Sequence, residues 1–111
     1  MDAEARQLSP QEANELLASG QAQALDVRET EEWEAGRLAG SRWIPLSELP
    51  ARLSELEAIG PLLVVCRTGS RSAYVADALV SQGWQAANLA GGLYAWTAAG
   101  LPLEPDGGYV L

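Results

Sequence analysis

Leu62, Leu63, Val64 and Val65 form an unbroken apolar run, bounded by Gly60-Pro61 before it and Cys66-Arg67 after it. Such a short continuous run suits a strand covered on both faces, as in a parallel sheet. Shorter strand patterns lie at Ala24–Val27, Arg42–Ile44 and Ala86–Leu89. Helical spacing occupies the stretches between them. Ser9-Pro10-Gln11-Glu12 is a helix start, with a hydroxyl cap, proline at the first helical position and an acid in the first turn. Ala13, Leu16 and Leu17 then mark one face, and Gly20 a stop. A short acidic helix is predicted over Glu29–Ala35, closed by Gly36. Leu49, Leu53, Leu56 and Ile59 predict a longer one from Ser47 to Ile59, with Pro50 confined to its first turn. From Arg71, the residues Ala73, Val75, Ala76, Leu79 and Val80 predict a helix ending at Gln82-Gly83, and Leu93–Ala99 a last one before Gly100. The stretch from Leu101 to Leu111, with two prolines and two glycines, reads as irregular. Strands alternating with helices predict an α/β sheet with helices on both faces.

Composition narrows the chemistry. The 111 residues suit one domain, residues 1–111, with no internal repeat. The chain holds one cysteine and no histidine, and all seven cations are arginines. One cysteine excludes an internal disulfide framework; without histidine, the Cys-His pair and the usual zinc cages are excluded too, so no metal or cofactor is expected. The formal net charge of −8 makes the chain a poor candidate for nucleic acid. No apolar run approaches the ~18 residues of a membrane span, and the polar start, Met-Asp-Ala-Glu-Ala-Arg, lacks a secretory core. The expectation is a cytoplasmic protein whose thiol stays reduced.

What remains is the stretch Cys66-Arg67-Thr68-Gly69-Ser70-Arg71-Ser72. It joins a buried-type strand to a helix, at the carboxyl end of the strand, where open α/β sheets gather ligands. A short loop with a central glycine can turn successive N–H groups inward as an anion cup, and the following helix adds its positive end. Arg67 and Arg71 add charge, and Thr68, Ser70 and Ser72 add hydroxyls. Electropositive helix-start sites lower cysteine pKa values to about 3.5–7.5. A lone cysteine after an apolar strand is more often an inert small hydrophobe. The glycine-bearing loop, the arginines and the helix together favour a nucleophile activated without histidine.

Three blocks extend this local pattern across the chain. Asp26-Val27-Arg28-Glu29 with Glu31–Ser41 resembles the first signature of the rhodanese family of sulfurtransferases. Cys66–Ser72 resembles that family's active-site loop, and Gly91-Gly92-Leu93-Tyr94-Ala95-Trp96 with Ala99–Pro102 its closing signature. The resemblance runs from about Ser9 to Pro102, leaving a tail at 103–111. It implies a rhodanese-like α/β fold, a mostly parallel five-stranded sheet flanked by helices on both faces. It also implies a thiosulfate sulfurtransferase-type enzyme. Cys66 would be catalytic, with Arg67, Thr68, Gly69, Ser70 and Arg71 cradling a small anionic sulfur donor. A persulfide formed on Cys66 would pass to a thiol, a protein acceptor or cyanide.

Cys66 to Arg71 spells Cys-x4-Arg; cysteine-dependent phosphatases resemble the wider Cys-x5-Arg, which leaves phosphatase activity disfavoured. A sulfur-relay or rhodanese-like binding module serving one partner protein is the alternative, since the chain has no second cysteine to resolve a persulfide. Arg37 stands where the family often has histidine, and is expected to pack and hydrogen-bond rather than react. Asp26 and Arg28 read as a structural ion pair or helix cap, the run Glu29–Glu34 as a solvated face, and the four tryptophans as core and core edge. The net charge should repel anionic donors at long range, with Arg67 and Arg71 a local exception.

Overall fold

A computed structural model describes residues 4–111. Five parallel strands lie in the order β1-β5-β4-β2-β3: β1 (Arg6–Leu8), β2 (Gln23–Asp26), β3 (Arg42–Trp43), β4 (Leu62–Val65) and β5 (Ala86–Leu89). β4 lies at the centre and its four residues are buried, as its unbroken apolar run requires. Its side chains alternate between two cores. Leu62, Val64 and Cys66 face one, packed by Val75, Ala76 and Leu79 of α4 (Ser70–Ser81) and by Leu49 of α3 (Leu49–Arg52). Leu63 and Val65 face the other, with Ala13 of α1 (Pro10–Ala18) and Leu93 and Trp96 of α5 (Gly92–Ala98). Fully burying each such leucine contributes about 1.5–3 kcal/mol, so the two-sided sheet is the main source of stability.

The predicted start of α1 is a reciprocal cap. The Glu12 N–H donates to Ser9 Oγ at 3.1 Å, and the Ser9 N–H to Glu12 Oε1 at 2.9 Å. The second helix, α2 (Thr30–Ala35), matches the acidic stretch. The single helix predicted over 47–59 is corrected. The chain instead forms a 3-10 turn at Leu46–Glu48, the one-turn α3 and a second 3-10 turn at Leu53–Leu56. Pro50 leaves no amide to continue a ladder through the start, and the segment follows the sheet surface in short pieces while keeping Leu49 and Leu56 buried.

β1 has no counterpart among the predicted strands. Arg6 and Gln7 are exposed, and only Leu8 is buried; its extended form comes from pairing with β5. The tail also departs from an unstructured reading. Arg37 and Glu104 exchange both backbone hydrogen bonds, at 2.9 and 2.7 Å, and the Tyr109 N–H reaches Ala35 O at 2.9 Å. No helix among the described residues is long and apolar enough to cross a membrane.

Candidate active site

Cys66 follows β4 directly, and its side chain is buried. The loop then turns through Gly69, whose φ of +98° lies in the left-handed region open to glycine. That turn folds the chain over the sulfur. The N–H of Gly69 donates to Cys66 Sγ at 3.1 Å, and the N–H of Ser72 at 3.3 Å. Ser72 Oγ lies 3.2 Å from the sulfur and 2.5 Å from Asn88 Oδ1. Among the described residues, the amides of Thr68, Ser70 and Arg71 have no acceptor. They occupy the loop and the first turn of α4, where free N–H groups carry the positive end of the helix.

The loop is locked from below. β5 leads through Gly91 into α5, whose first amides hold the start of the Cys66 loop: Leu93 N–H donates to Cys66 O and Tyr94 N–H to Arg67 O, both at 2.9 Å. Gly92 makes this approach feasible. Its φ is +64°, and a Cβ there would lie 2.5 Å from the Arg67 carbonyl. The closing signature is thus the back wall of the loop.

The two loop arginines are already engaged. Arg71 makes a bidentate pair with Glu32 of α2, both contacts at 2.8 Å. Arg67 Nε donates to Leu111 O at 2.9 Å. Glu32 thus balances the charge of Arg71, whereas no acidic side chain pairs with Arg67 among the described residues. The backbone N–H groups of Thr68, Ser70 and Arg71 are unpaired donors of the loop among the described residues. Thr68 and Ser70 are exposed on the rim, whereas Ser72, the third hydroxyl, touches the sulfur.

Glu32, within the acidic run expected to face solvent, has two tasks in the structure. Its Oε1 accepts the Glu29 N–H at 3.0 Å, closing the first turn of α2, while both oxygens hold Arg71. The Arg71 hydrogen bonds, followed by that of Glu29, hold the Glu32 carboxyl below its ordinary value of 4.5, and Arg71 is raised in turn. A depressed carboxyl stabilises the fold fully above its unfolded value and loses that contribution as pH falls through its folded value. Glu32→Gln should therefore narrow its stability gap to the wild type as the pH is lowered from about 6 to about 3, read by thermal melts. A gap constant across that range would show that the pair adds nothing to acid stability.

Asp26 and Arg28 resolve as a structural pair. Both are fully buried; Arg28 Nε and Nη2 grip the Asp26 carboxylate at 2.8–3.1 Å, and Nη2 also reaches Gly36 O at 2.7 Å. Trp43 Nε1 donates to Arg28 O at 2.8 Å, and Trp43 stacks on Trp33 at 5.6 Å. Arg37 packs over the Trp33 ring and donates to Trp33 O, the role expected where the family often has histidine.

An open parallel α/β sheet carrying a thiol under a glycine-turned, N–H-lined loop defines a class of cysteine-loop domains. Within it, the model of the rhodanese-like domain family matches residues 9–99. The chain belongs to that family. It is 40% identical over 76 residues to the Bacillus subtilis protein YqhL, covering 68% of this chain and 60% of that one. It is 32% identical over 96 residues to the thiosulfate sulfurtransferase GlpE of Ectopseudomonas mendocina, covering 86% and 87%. The crystal structure of a rhodanese-related protein from Thermoplasma volcanium superposes with a TM-score of 0.82 at 32% identity, covering 88% of this chain and 96% of that one.

Proposed function

We propose that this protein, acting as one domain with its core at about 9–102, moves sulfane sulfur through a persulfide on Cys66. The observation that carries the reading is the sulfur itself, held at the end of β4 by two loop amides beneath a rim of unpaired N–H groups. The Cys66 thiolate attacks the outer sulfur of thiosulfate or a similar donor. A sulfur–sulfur bond forms on Cys66, the donor's own sulfur–sulfur bond breaks, and sulfite leaves with its electron pair. A thiolate or cyanide then attacks the outer sulfur and expels the Cys66 thiolate. The loop amides stabilise charge at the transferring sulfur, the role of preorganised donors at a developing anion. Cys66 is the catalytic residue in this scheme, and the loop from Arg67 to Arg71 binds the donor.

A second reading, a relay handing persulfide to one protein partner, is favoured by the single cysteine, since the sulfur must leave to an outside thiol. Both readings use a reduced thiol, which suits a reducing compartment such as the cytoplasm. Intact-mass spectrometry after exposure to thiosulfate should show a gain of one sulfur atom, lost on adding cyanide as thiocyanate appears. No gain from thiosulfate or from a small persulfide donor would remove both readings and leave a silent interaction domain. Slow discharge to small thiols after clean loading would select the relay.

A further inference from the structure

Behind Cys66 lies a buried polar chain that the transfer scheme has not used. Asn88 of β5 is 2% exposed, and its side-chain amide meets three groups. Nδ2 is 3.2 Å from Gly69 O and 2.8 Å from Gln7 Oε1, while Oδ1 is 2.5 Å from Ser72 Oγ. A backbone carbonyl only accepts, so the atom facing Gly69 O must be the NH2 group. The Asn88 oxygen therefore faces Ser72, and the Ser72 hydroxyl must donate to it. That hydroxyl owns one proton. With the proton committed at 2.5 Å, the oxygen turns a lone pair, not an O–H, toward Cys66 Sγ at 3.2 Å.

The direction of that contact matters at two moments. Sγ carries negative charge as the attacking thiolate in loading, and again as the thiolate that leaves in discharge. A hydroxyl donating to Sγ would calm the nucleophile and ease its departure. A lone pair does the reverse.

We propose that Asn88 is a positioning residue that holds the Ser72 proton away from Cys66, so that the site takes up sulfur readily and releases it reluctantly. This inference rests on the persulfide reading above. The two half-reactions have the same atom balance as before: Cys66 thiolate and thiosulfate give persulfide and sulfite, and persulfide and cyanide give thiolate and thiocyanate. Asn88 changes only the relative ease of the two.

The test is single-turnover loading from thiosulfate and discharge to cyanide, each followed by intact mass. The pH is set where iodoacetamide alkylation has reached its plateau in every variant, so that all start as thiolate. Asn88→Val frees the Ser72 proton; loading should slow and discharge should quicken, each by up to about tenfold, the scale of one hydrogen bond to a charged group. Ser72→Ala removes only the lone pair and should move both rates in the same sense by less. Adding Asn88→Val to Ser72→Ala should leave both rates within about twofold of Ser72→Ala alone, because no hydroxyl remains to turn. Faster loading and slower discharge in Ser72→Ala would mean that the hydroxyl donates to sulfur, and would overturn the inference even if Asn88→Val failed to fold. An Asn88 effect that persists without the hydroxyl would overturn it as well. A wild-type chain that takes up no sulfur would instead overturn the reading on which it rests.

Discussion

Cys66→Ser should give a folded protein that takes up no sulfur. The change replaces one atom. A serine oxygen sits closer to Cβ than the sulfur does but faces the same Gly69 and Ser72 amides, and the surrounding core of Val64, Val75 and Ala76 is untouched. The stability cost should stay near 1–2 kcal/mol, the scale for a buried hydroxyl that keeps its hydrogen bonds. Reactivity is another matter. An unactivated hydroxyl is a weak nucleophile, and this chain has no histidine to serve as its base. Thiocyanate formation from thiosulfate should fall by more than about a thousandfold, with no mass gain on exposure to the donor. Residual turnover near the wild-type rate would place the chemistry elsewhere in the chain.

Gly92→Ala should be nearly as damaging, for a reason that has nothing to do with reactive atoms. The added methyl would sit 2.5 Å from both the carbon and the oxygen of the Arg67 carbonyl and 2.6 Å from the Thr68 nitrogen, all backbone, at a φ of +64°. Left-handed backbone at a residue with a Cβ costs about 1–3 kcal/mol, and overpacking a further 1–3 kcal/mol. The protein should lose about 3 kcal/mol or relieve the clash by pushing the loop away from α5. Either route breaks the amide contacts of Leu93 and Tyr94 with the Cys66 and Arg67 carbonyls, so alkylation of Cys66 by iodoacetamide and sulfur uptake should both change. Equal melting temperatures and equal alkylation rates would mean that the close approach is not needed.

Much of this arrangement was legible in the chain. The unbroken run of β4 announced a strand with two covered faces, and the glycine-bearing loop after it announced the thiol site. What escaped had a shared cause. β1 has no pattern of its own, because two of its three residues face solvent and its strand form is imposed by a partner. Glu32 is one acid in an acidic run, and only the fold shows which one turns toward Arg71. Asn88 lies between two short apolar segments, and nothing local marks it as the residue behind Ser72. Its place in a strand expected to be covered was the available signal: a buried amide must find partners. The surroundings of the arginines are set in the same way. Arg67 and Arg71 are cations by composition, but their fields depend on Leu111 O and Glu32, distant in sequence. Local chemistry points to the candidate thiol, while the groups that surround it are set by long-range pairing.

The pairing of β1 with β5 has a consequence for how the protein is made. Gln7 lies opposite Asn88, 81 residues along the chain, and Leu8 opposite Leu89. During synthesis Leu8 emerges 81 residues ahead of its strand partner Leu89 and waits for it. Closing so long a loop is entropically costly, and contacts of such separation slow folding. The edge of the sheet beside Asn88 is therefore expected to be the last to assemble, and the thiol acquires its buried polar neighbours only then.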